Sequence, residues 1–134
     1  MTSSSALLVT EQDFERLALL IHHNEGPGAR LLEEELGKAQ IVPQKDVPQD
    51  LVTMNSKISF EDLDSGQTSQ ITLVYPKDAD VTKGCVSILA PIGVALIGLR
   101  KGQSIEWPMP NGKVRHLKVV EILYQPEAAG HWDL

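Results

Sequence analysis

Apolar positions recur every three to four residues through the first part of this chain and every second residue through much of the rest. Thr10 before Glu11-Gln12-Asp13 is a capping-box-like T-x-x-D, and Phe14, Leu17, Ala18 and Ile21 follow at helical spacing. Gly26-Pro27-Gly28 breaks that pattern. Leu32, Leu36 and Ala39, at i, i+4 and i+7, predict a second helix from about Ala29 to Gln40. Two short helices with a tight turn make an antiparallel hairpin, a short coiled coil. At 1.5 Å per residue, arms of roughly a dozen residues project about 20 Å.

Ile41–Asp50, with Pro43 and Pro48, reads as a linker, because proline ends helices and favours extended backbone. Residues 1–44 are expected to be the hairpin and 51–134 a second domain. That domain alternates. Val52–Met54, Lys57–Leu63, Gln70–Tyr75, Ser104–Met109 and Val114–Tyr124 are predicted strands, the last with Leu117, Val119 and Glu121 on one face. Asp64-Ser65-Gly66 and Pro110-Asn111-Gly112 are turn signals, Asn-Gly being a hairpin signature.

The organising stretch is S-I-L-A-P-I-G-V-A-L-I-G-L-R-K-G, residues 87–102. A buried strand should run into Pro91, which suits the first position of a helix. Ile92, Ala95, Leu96 and Leu99 form one apolar stripe, so the helix is expected to reach Arg100 and Lys101 and to close at Gly102. The fold class is α+β, a bent antiparallel sheet with one helix packed on it beside the hairpin.

Charge and composition narrow the chemistry. The chain has 134 residues, 42% of them hydrophobic, and a net charge of −6. The first fifty residues hold nine acids against four bases, an asymmetry that suggests two modules with different jobs. A negative chain without Lys/Arg clusters is not expected to bind nucleic acid strongly. No apolar run reaches membrane-spanning length and no signal peptide is readable, which points to the cytoplasm and to no membrane partner.

Cys85, the single cysteine, allows neither an intrachain disulfide nor a multi-cysteine metal site, and at a strand start it reads as a small buried residue. His22 and His23 are adjacent, so on a helix their rings diverge by about 100° and do not readily share a metal. No P-loop, no catalytic grouping and no cofactor site is readable by spacing.

Three segments, V-T-M-N-S-K-I-S-F (52–60), 87–107 and P-N-G-K-V-R-H-L-K-V-V-E-I (110–122), resemble the C-terminal domain of the bacterial Gre transcript-cleavage factors. With T-L-V-Y-P (72–76) and Y-Q-P-E-A-A-G (124–130), the whole chain is similar to the short-armed, Gre-like regulators of nucleoside diphosphate kinase. The resemblance implies an FKBP-like fold and a partner, RNA polymerase, held at the rim of its secondary channel. It places the docking segment at Ala90, Pro91, Ile92 and Gly93, with Ala90 standing where Ser is usual.

In Gre factors a long coiled coil carries acidic tip residues to the catalytic Mg²⁺. The matching tip here, His23-Asn24-Glu25, has one acid, and the hairpin is short. The expectation is therefore a polymerase-binding regulator that competes with Gre-type factors and performs no chemistry. Two alternatives stand beside it: direct contact with nucleoside diphosphate kinase, and an FKBP-like prolyl isomerase.

Overall fold

A computed structural model describes residues 8–24, 26–108 and 112–131; Glu25, Met109, Pro110, Asn111 and Trp132 lie outside the described residues. β1 (Leu8–Thr10) leads directly into α1 (Glu11–His22) and α2 (Pro27–Gly37), and β2 (Gln40–Val42) returns to pair with β1 in parallel. The short strand pair therefore clamps both ends of the helical pair. It was not expected from the sequence, which reads 41–50 as linker throughout.

α1 starts as its cap predicts: the Asp13 N–H donates to Thr10 Oγ1 at 3.0 Å. Its inward stripe differs from the reading in one position, since Ala18 is exposed while Leu17 and the Asp13 side chain are buried. α2 begins two residues earlier than expected, with Pro27 at its first turn, and buries Ala29, Leu32 and Leu36. Leu17, Leu32 and Leu36 belong to one buried cluster with Val52, Met54, Ile58, Leu73, Val94 and Leu117. The helical pair thus shares its core with the sheet.

The main sheet comprises β3 (Lys57–Asp62), β4 (Thr68–Val74), β5 (Cys85–Ser87), β6 (Ser104–Pro108) and β7 (Val114–Tyr124), in the order β5-β4-β3-β7-β6. It is not wholly antiparallel, because β5 runs parallel to β4. Between them, residues 75–84 carry two short 3₁₀ turns, Pro76–Asp78 and Val81–Lys83.

Val52–Met54 is not a strand but a buried turn. Among the described residues its ladder-like contacts are Val52 N–H to Leu99 O and Gly98 N–H to Val52 O. β7 keeps Leu117 and Val119 inward as expected. A register shift opposite Ser59/Phe60 then leaves Val120 unpaired with β3. Glu121 consequently faces solvent, where it pairs with Lys101, and Ile122 takes the next half-buried position.

α3 (Pro91–Leu96) is shorter than the apolar stripe suggested. The chain leaves the helix at Ile97, and Gly98 adopts φ 82°. Leu99 and Arg100 then lie alongside residues 51–52, so the cations sit off the helix, and Arg100 pairs with Asp50 instead. The burial of Leu99 is satisfied by this return strand, not by a third helical turn. Gly93 cannot be replaced without movement: a Cβ there would lie 2.5 Å from the Ser87 carbonyl oxygen.

Candidate functional site

The strand-to-helix turn at 87–93 is built by a local hydrogen-bond set. Ser87 Oγ accepts from the Leu89 N–H at 3.0 Å, and the Ala90 N–H donates to the Ser87 carbonyl at 3.0 Å. Ala90 then occupies the N-cap of α3 with extended backbone and supplies no side-chain cap. A serine in that place could accept from the first turn. Ala90 and Ile92 are half-buried, and Gly93 is buried between β5 and Leu73.

The helix-to-helix turn comes to the same place. An added Cβ on Gly28, in the first turn of α2, would stand 2.3 Å from the Leu89 carbonyl oxygen and 3.2 Å from its carbon. The absence of a side chain at Gly28 therefore lets α2 rest directly on the residue before Ala90. His23 closes α1, its N–H donating to Leu19 O and Leu20 O. The Asn24 side-chain amide donates to Leu20 O at 2.7 Å. These contacts hold the tip through its own backbone. The predicted tip residue Glu25 lies outside the described residues.

His22 and His23 stand edge to face, with ring centroids 5.1 Å apart. They line different hollows: His22 a small one with Asn24 and Ala29, His23 a larger one with Tyr75. No group of three or more His, Cys, Asp or Glu among the described residues could hold a metal ion. Cys85 is half-buried at the start of β5. No described helix is long and apolar enough to cross a membrane.

A buried polar cluster joins the helical pair to the sheet. Asp13 is 3% exposed, and its Oδ2 accepts from the Met54 N–H at 3.1 Å. Thr53 Oγ1 donates to the Glu127 carboxyl at 2.8 Å, so the Ser56 hydroxyl, 2.8 Å away, donates to Thr53 in turn. The Thr53 N–H closes the ring on Ser56 Oγ. Burial pushes the Asp13 carboxyl up to about 7; the Met54 N–H and Arg16 oppose this, and the negative Glu127 adds to it. Burial likewise raises the Tyr75 phenol, with Asp13 adding to the effect.

None of this cluster was singled out from the sequence. The readable signal was Asp13 itself, an acid placed beside Phe14 and Leu17 on the apolar face of α1. On the far side of the sheet, His116 stands between Asp64 (2.9 Å) and Glu106 (3.4 Å), both exposed, and the Asp64 hydrogen bond holds its imidazole above the usual range.

Residues 47–124 match the family described as "Transcription elongation factor, GreA/GreB, C-term". Over 98% of this chain and 99% of the relative, the sequence is 40% identical to "Regulator of nucleoside diphosphate kinase" of Escherichia coli K12. It is 35% identical to the GreA elongation factor of Syntrophobacter fumaroxidans, over 66% of this chain and 56% of that protein. Among solved structures, "Prokaryotic transcription elongation factor GreA/GreB from Nitrosomonas europaea" superposes with a TM-score of 0.74 at 41% identity, covering 90% of this chain and all of that one. On its C-terminal match and its near full-length relative together, the chain belongs to the GreA/GreB family and is similar throughout to the E. coli regulator of nucleoside diphosphate kinase.

Proposed function

We propose that this protein is an RNA polymerase-binding transcription regulator. It docks at the secondary-channel rim through Ala90–Gly93 and competes with Gre-type factors without stimulating transcript cleavage. One observation carries this reading: α2 is seated on the Leu89 carbonyl through Gly28, so the hairpin turn lies beside the docking segment and not far beyond it. The helices have 12 and 11 residues, a span of about 18 Å at 1.5 Å per residue. Cleavage stimulation needs carboxylates that hold a metal and a water at the end of a reaching arm. A pair this short, folded onto its own head, supports occupancy of the channel mouth and no delivery of acids to the active centre.

The test is binding to purified core polymerase and displacement of a Gre factor from it. Saturable binding with displacement, and no RNA shortening in stalled complexes, is the expected result. Absence of association, or of competition, sinks the proposal. A second reading, direct contact with nucleoside diphosphate kinase, is favoured by the name of the E. coli relative. Co-purification of the two isolated proteins supports that reading, and their independent migration removes it.

A further inference from the structure

A groove of about 780 Å³ runs between α1 and the segment that follows β4, within the roughly 300–1,000 Å³ typical of small-molecule sites. Its charge runs against that of the chain. Two cations, Arg16 and Lys77, line it against a single acid, Asp78, with His23 beside them, although the protein carries a net charge of −6. Its apolar shelf is formed by Leu19, Leu20 and Pro76, and Leu19 leaves 61% of its surface exposed there.

At the lip stands Asn55, the one described non-glycine residue with positive φ, 67°. Its N–H is held by Leu73 O at 2.6 Å. Its side-chain amide takes no hydrogen bond among the described residues. Asparagine tolerates this left-handed turn position well, and here it leaves its side-chain donor and acceptor at the wall of the groove. The Tyr75 hydroxyl is buried in the same wall beside Arg16.

We propose that this groove binds a small organic phosphate of about mononucleotide size. The flat ring lies on the Leu19–Pro76 shelf, the Asn55 amide bonds the ring edge, and the phosphate sits toward Lys77 and Arg16. Neither half of such a ligand is enough alone: the shelf has no charge to offer, and Lys77 stands at an open rim where a bare anion stays hydrated, while Arg16 is half-buried beside Tyr75.

The test is a titration of the isotope-labelled full-length chain with AMP, adenosine and inorganic phosphate in separate experiments, followed by NMR. AMP is expected to give saturable shifts at the Asn55 side-chain amide, His23 and Lys77. Adenosine and phosphate should each bind at least about tenfold more weakly. Lys77 is exposed, so Lys77→Glu should fold normally and weaken AMP by about tenfold or more. Asn55→Gly, which keeps the left-handed φ accessible while removing the amide, should keep the fold and also lose affinity. Unsaturable or scattered shifts, equal binding by Lys77→Glu, or phosphate or adenosine matching AMP overturns the proposal. Polymerase takes no part in this measurement, so its outcome is independent of the docking reading.

Discussion

Asp13→Asn separates the charge of the buried carboxyl from its hydrogen bond. The amide oxygen can still accept from the Met54 N–H, but the side chain no longer titrates. In the folded wild type, burial and the neighbouring Glu127 raise this carboxyl from 3.8 to about 7. A carboxyl whose folded value is raised disfavours the folded state once it ionises. It has no effect below the unfolded value, where both states are protonated. Its cost grows as pH rises from about 4 to 7 and is constant above. At 1.36 kcal/mol per unit, the full penalty is about 4 kcal/mol. By the same linkage somewhat under half of it is present at pH 5, so the wild type should lose roughly 2–3 kcal/mol between pH 5 and pH 8 through this group.

Urea unfolding of both proteins at pH 5, 6, 7 and 8 reads the slope directly. The variant should lack this share of the decline and gain on the wild type steadily as pH rises. Parallel curves for the two proteins would refute the assignment of the titration to Asp13. A wild type that grows more stable across this window would refute the sign.

Gly28→Ala should destabilise by about 2 kcal/mol or more in thermal unfolding, although alanine favours a helix by about 1 kcal/mol, because its Cβ meets the Leu89 carbonyl at 2.3 Å. Ala90→Ser supplies the missing cap of α3 and should add about 1 kcal/mol in the same assay. Leu32→Ala empties a fully buried position and should cost about 2–5 kcal/mol. Because Leu32 shares its cluster with the sheet, helix signal and Trp107 fluorescence should shift together in denaturant, not in separate steps. His116 should titrate by NMR above the ordinary imidazole value, and Asp64→Asn should bring it down, since the Asp64 carboxylate is the main cause.

Local chemistry was legible from the chain alone. The Thr10 cap, the Leu17 and Leu32–Leu36 stripes, Pro91 as the start of a helix, and the alternation of β3 and β7 all depend on residues within a turn or two of one another. The strand-to-helix turn at Ala90–Gly93 belongs to this class. Only the tertiary structure decided what depends on distant partners. Three-residue strands such as β1, β2 and β5 carry too little pattern to reveal pairing or direction, so the clamp around the helices and the parallel β4–β5 contact were invisible. The end of α3 at Leu96 was set by the return of Leu99 against Val52, which no apolar stripe encodes. Gly28 read as a breaker between helices. Folding made it the contact that seats α2 on Leu89, because a close approach is a property of two segments and a sequence lists only one at a time. For the same reason Asp13 looked like a cap and became a buried acid: the N–H that bonds it belongs to Met54, 41 residues on, and the charge that raises it further belongs to Glu127, most of the chain away.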